Sequence, residues 1–240
     1  MTRFREPHHL PNLSGGQPAD PDRLPRQRRG TTPQMHGRFP DYDVLAEAGH
    51  WDEATRRVVF GRLEPPPIRF FDEGQAATLD ALCDVVTAQD RDPRIPVLRM
   101  VDRKFAEGQL DGFQYAGMPA DGETWKLVAR GLDAEARREG AEGFAALDGD
   151  RRHEVCRRFI DGELDGGVWD EVDISTAWKV VSRGIVSEFY SHPWSWNEIG
   201  YAGPAYPRGF ARLGVGMSEA WEGVEAPGYL DEDEPEEERT

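Results

Sequence analysis

The sequence predicts an all-α fold: a single helical bundle of about five helices, framed by a long irregular N-terminal arm, an aromatic C-terminal loop and a disordered acidic tail. Three observations lead there. Apolar residues recur at three-to-four spacing through residues 73–189, acidic cap residues stand ahead of several of these runs, and no segment shows the alternation of a strand series. The hydrophobic fraction of 38% is low for 240 residues, but both ends are depleted, which leaves an ordinary core in the middle. The segmentation is therefore 1–38 as an extended arm, 39–67 as a wrapping arm with a proline spacer, 68–222 as the helical domain, and 223–240 as the acidic tail.

Taken in order, residues 1–38 hold six prolines among arginines and no apolar period, which predicts an arm without regular structure. Arg28-Arg29 is not followed by an apolar run, so an export signal is not expected and the expected compartment is the cytoplasm; export together with a partner is the alternative. Tyr42, Val44 and Leu45 suit a short helical turn, and Asp52 is placed to cap a helix through Val58, Val59 and Leu63. Pro65-Pro66-Pro67 ends it as a stiff spacer. An apolar arm ahead of such a spacer suits wrapping, either around its own domain or around another protein.

Asp72 with Gln75 forms a capping-box pattern for a helix over 73–89, with Ala76, Leu79, Leu82 or Cys83, and Val86 on one face; Asp90-Arg91-Asp92-Pro93 stops it. A second helix is expected over 96–109 and a third over 123–138, the latter facing Trp125, Val128 and Leu132 inward. Phe144 and Leu147 serve as short anchors. Asp148 or Asp150 caps a fourth helix over 151–164 with Val155, Cys156, Phe159 and Ile160 inward, and a fifth runs over 173–191.

Residues 188–210 stand apart. Phe189, Tyr190, Trp194, Trp196, Tyr201, Tyr206 and Phe210 are interleaved with three prolines and three glycines, which rule out a continuous helix. Such rings pack on their own domain or anchor a partner. Trp194, Trp196, Tyr201, Tyr206 and Arg208, with Tyr42 and Trp51 of the arm, are the candidate partner interface, while Phe189 and Ile199 are assigned to the home core.

A net charge of −16 argues against nucleic acid and anionic membrane surfaces as partners, and no run approaches the ~20 apolar residues of a transmembrane helix. His153-Glu154-x-x-Arg157 lacks the second histidine of a zinc helix, and His8-His9 sits in the arm. Gly214-x-Gly216 is too short for a dinucleotide fingerprint, and the two cysteines, Cys83 and Cys156, cannot hold a four-thiolate cluster. Buried reduced thiols are the expectation, with one long-range disulfide as the alternative. His192 beside Glu188 and Glu198 offers an acid–base set; the competing reading is that His192 hydrogen-bonds the loop and fixes its fold-back. The acidic block at 231–238 reads as a solvated tail.

One resemblance is carried by named residues. His192-Pro193-Trp194, Asn197-Glu198-Ile199-Gly200-Tyr201 and Gly203-Pro204 through Gly209-Phe210 form the specific part. Phe71 to Leu79, Gly131-Leu132-Asp133 and Phe144-Ala145-Ala146-Leu147 add to it, so that it spans about residues 70–212. Together they resemble the gluconate 2-dehydrogenase subunit 3 family. Trp194 to Glu198 stand where better-known members carry a Gly-Gly-Asn element, which marks a divergent subgroup. The resemblance implies a non-catalytic small subunit with no cofactor or metal of its own and no catalytic residue. It further implies a large flavoprotein partner of the glucose–methanol–choline oxidoreductase type, carrying FAD and oxidising a sugar, glycoside or polyol hydroxyl, with an electron-acceptor protein beyond it. A stand-alone helical enzyme or ligand-binding domain using His192 and neighbouring carboxylates is the alternative.

Overall fold

The computed structural model describes residues 39, 42–89, 94–109, 112–212 and 217–224. The expectations for residues 1–38, for the helix stop at 90–93, for Gly214 and Gly216, and for the acidic tail lie outside these. Among the described residues there are seven α-helices, three 3-10 helices and no strand. The all-α class holds, and the helix count exceeds the five expected.

Two compact units make up the described chain, and the division is not sequential. One contains residues 65–89 and 96–189; the other joins residues 39, 42–64 and 94–95 to the C-terminal part from Tyr190 onward.

The larger unit is built from α2 (Glu73–Val86), α3 (Val97–Ala106), α4 (Asp121–Arg138), α5 (Gly149–Asp161) and most of α6 (Ile174–Ser191). Asp72 and Gln75 form the full reciprocal capping box, and Asp148, not Asp150, caps α5 through the amide of Arg151. The helices start or stop within a few residues of the expected positions, as is usual where caps rather than periodicity set the ends. Phe71, Phe105 and Trp125 pack edge-on or tilted with centroids 6.0–6.2 Å apart. A second aromatic set joins Phe159 to Trp169 and Trp178. Helix packing here depends on three glycines: a Cβ at Gly184 would meet the Trp125 ring at 2.8 Å, and one at Gly122 or Gly131 would collide with Phe70 or Trp169.

Buried carboxylates order the connections of this unit. Asp102 accepts from the amides of Arg69, Phe70 and Phe71 at 2.7–3.0 Å, holding the chain that leads into α2. Glu135 accepts from Arg138, Arg158 and the Trp169 indole, tying α4 to α5 and to the 3-10 turn Gly167–Asp170. Each is fully hydrogen-bonded, the condition under which a buried charge is tolerated. Ile160, expected inward, faces solvent instead; it lies at the last turn of α5, next to Phe159, which takes the core position.

The smaller unit comprises the 3-10 helix Val44–His50, α1 (Glu53–Leu63), α7 (Pro193–Ile199) and the loop beyond it. Asp43 caps the first and Asp52 the second, by accepting from Leu45 and Thr55. Helix α7 corrects the expectation of an irregular stretch: Pro193 occupies the first turn, where its missing amide hydrogen costs nothing, and Gly200 closes the helix in the left-handed region at φ 66°.

Candidate docking surface

The smaller unit assembles around α7. His192 caps it, its Nδ1 accepting from the amide of Trp194 at 3.2 Å, while the Ser195 hydroxyl donates back to the His192 carbonyl at 2.7 Å. His192 is fully buried, and that burial, reinforced by the Arg62 charge, pushes its pKa down to about 3. The imidazole therefore stays neutral at physiological pH and is closed to solvent. Glu188 is engaged elsewhere, with Lys104 at 3.2 Å. The fold-back reading of His192 is the one the geometry supports; an acid–base set requires a group that titrates and reaches a substrate.

From α7, Trp196 turns into a cluster with Phe39, Tyr42, Val44, Trp51 and Val59. Its indole donates to the Tyr190 carbonyl at 2.7 Å. Asn197, the next residue, accepts from the Val44 amide at 2.7 Å. Arg208 reaches back to Glu47 at 2.6 Å and stacks on Trp221 at 4.2 Å, and the Trp221 carbonyl accepts from the Tyr42 hydroxyl at 3.0 Å. Burial, more than the neighbouring Glu47, raises the Tyr42 phenol well above its ordinary range. Glu219 folds the end of the described chain inward by accepting from the amides of Ala211 and Arg212.

The seven residues read as an interface are thus placed differently from one another. Tyr42, Trp51 and Trp196 are buried in this unit's own core, with Trp196 only 5% exposed. The physical reason is mutual: the 39–51 arm and the aromatic stretch, each short of apolar partners by itself, cover each other. Trp194 is half-buried against His192, and Arg208 is held by Glu47 and Trp221. Tyr201 and Tyr206 are exposed, the latter at 67%. Of the two rings assigned to the home core, Phe189 is buried and Ile199 is half-buried.

Sequence reasoning missed further exposed apolar residues of this unit. Phe210 and Met217, outside the seven interface candidates, are both exposed and follow Tyr201 and Tyr206 in sequence. On α1 only Val59 is buried, leaving Val58 and Phe60 in water. Val58, Val59 and Phe60 are consecutive and cannot all face one side of a helix, and that adjacency was the available signal.

Among the described residues no three His, Cys, Asp or Glu side chains converge as metal ligands, and no helix is long and apolar enough to cross a membrane. Cys83 and Cys156 are both buried free thiols, which resolves the pairing question in favour of the reduced state.

The family model for gluconate 2-dehydrogenase subunit 3 matches residues 73–203, just over half of the chain. The chain belongs to this family. The match runs from the start of α2 through α7 and stops at Gly203, so the 39–64 arm and the exposed loop carrying Tyr206, Phe210 and Met217 lie outside it. No curated protein and no solved structure matched the chain.

Proposed function

We propose that this chain is a non-catalytic small subunit that binds and stabilises a large FAD-dependent dehydrogenase of the glucose–methanol–choline type, whose substrate is a sugar, glycoside or polyol hydroxyl. Family membership supports a subunit of a dehydrogenase complex. The observation that carries the docking role is the exposure of Tyr201, Tyr206, Phe210 and Met217 within one short segment. Clustered exposed rings mark interaction sites, and Tyr in particular is enriched among residues that dominate binding energy. The loop that presents them is anchored by Arg208, Glu47 and Glu219, so binding requires little further ordering of the backbone.

In this reading the flavin and the oxidative chemistry belong to the large subunit, and this chain supplies no group to the reaction. The test is co-purification from the native host with a tag on this chain. A larger, flavin-bearing partner that oxidises a sugar or polyol should accompany it. A pure single-chain preparation with its own flavin spectrum, or one that captures no flavoprotein, overturns the proposal.

A further inference from the structure

Helix α1 leaves an unusual face open in a strongly acidic chain. Arg56 and Arg57 stand one helical turn before Phe60, so the three side chains share one side of the helix. Arg56, Arg57 and Phe60 are all exposed, Phe60 at 44%. Arg57 holds Glu53 at 3.2 Å, but both partners are largely in water, and such a pair exchanges at little cost.

The complement to this face is present in the same chain. Tyr229 and Leu230 are followed by an acidic block in which seven of the eight residues 231–238 are Asp or Glu. An apolar pair leading into carboxylates matches an exposed Phe flanked by arginines.

The reach is sufficient. The Gly223 amide donates to the Gly200 carbonyl at 3.1 Å, which fixes the end of the described chain at the C-terminus of α7. At the other end of α7, Arg62 of α1 donates to the Ser191 carbonyl at 2.8 Å and lies over the Trp196 ring. Helix α7 has seven residues and is therefore about 10 Å long. The five residues from 225 to 229 extend to about 17 Å, enough to bring Tyr229 to the last turns of α1.

We propose that the C-terminal tail of this chain docks on the Arg56–Arg57–Phe60 face of α1, with Tyr229 and Leu230 against Phe60 and the carboxylates of 231–238 along the two arginines. The contact is intramolecular and electrostatically reinforced, so it weakens as salt screens the charges. It does not depend on the identity of the dehydrogenase partner, and it can be read on the chain alone.

The experiment is disulfide trapping in the full chain. A Cβ at Gly61 meets nothing within 4 Å, so Gly61→Cys places a thiol next to the proposed contact without disturbing the arginines. Paired with Glu232→Cys, it should form an intrachain disulfide under mild oxidation at least tenfold faster than the control pair Gly149→Cys with Glu232→Cys, whose helix position is equally unobstructed. The native thiols are buried and stay silent. Adding Arg56→Glu and Arg57→Glu, or raising salt to about 1 M, should erase the advantage. Equal rates for the two pairs overturn the proposal. Cross-links that join two chains overturn it in favour of a second copy as occupant. An advantage lost on reversing Arg26, Arg28 and Arg29, with Arg56 and Arg57 intact, overturns it in favour of the N-terminal arm as the tail's partner.

Discussion

The Val44 amide donates to the Asn197 side-chain carbonyl at 2.7 Å, across 153 residues of sequence and inside a buried cluster. This bond joins the N-terminal arm to α7 at a point where neither partner has access to water. Asn197→Ala should therefore leave a buried donor unmet and cost about 1–3 kcal/mol. Hydrogen exchange reads it directly: the Val44 amide should lose its protection, while amides of α2 and α4 keep theirs. Unchanged protection at Val44 would mean that the bond is not made in solution.

Trp196→Ala removes the ring at the centre of the same cluster together with its bond to the Tyr190 carbonyl. Truncating a buried Trp costs about 3–5 kcal/mol. The expected outcome is loss of order in the smaller unit, detected as rapid proteolysis within residues 42–64 of the isolated chain. A variant as protease-resistant as the parent would place the ring outside the core.

His192 predicts a pH dependence of stability. Its folded pKa, about 3, lies below the ordinary value of 6.5, so between these the unfolded chain takes up a proton that the folded chain refuses. Stability contributed by neutral His192 is fully present above pH 6.5 and is lost as pH falls toward 3, by at most about 1.4 kcal/mol per pH unit. His192→Asn keeps a capping oxygen and removes the titration. Melting curves from pH 7 to 4 should fall less steeply for this variant than for the parent; parallel slopes would rule the contribution out.

Burial pushes the Cys156 thiol up to about 12 and raises that of Cys83 well above its ordinary range. Neither is a thiolate at neutral pH, and neither is reachable. A thiol-specific reagent should therefore find no fast-reacting cysteine in the native chain and both after unfolding. One rapid native thiol would contradict the placement of its helix.

Tyr206 is the exposed counterpart to Trp196. Tyr206→Ala should change the stability of the free chain by no more than about 0.5 kcal/mol. Association with the proposed flavoprotein partner should weaken by about 2 kcal/mol, roughly thirtyfold. Binding isotherms of the two purified subunits measure this, and unchanged affinity removes Tyr206 from the interface.

The caps were the most legible part of the chain. Asp52, Asp72 with Gln75, and Asp148 each sit ahead of a helix in a pattern whose chemistry is local, so the sequence carries it whole. Helix α7 was hidden because a seven-residue helix fits between one proline and one glycine, and because its cap is a histidine rather than Ser, Thr, Asp or Asn. The division of the aromatic residues between core and surface could not be read locally either. Trp196 is buried because Tyr42 and Trp51 cover it, and those partners lie some 150 residues away. Asn197 gave no local signal for the same reason, since its partner is the amide of Val44. Nothing local in the sequence distinguishes Asp102 and Glu135 from helix-surface charges, because the amides, arginines and indole that bind them come from other elements.

The pairing of the 42–64 segment with α7 also imposes an order on synthesis. Residues 42–51 leave the ribosome with Tyr42, Val44 and Trp51 uncovered, and the helix that shields them is made 153 residues after Val44. At 5–20 residues per second that interval is roughly 8–30 s. Throughout it the nascent chain carries a naked aromatic patch, and any message truncated before α7 yields a product that can never cover it. Chaperone demand during translation should therefore be set by the first quarter of this chain and relieved only near its end.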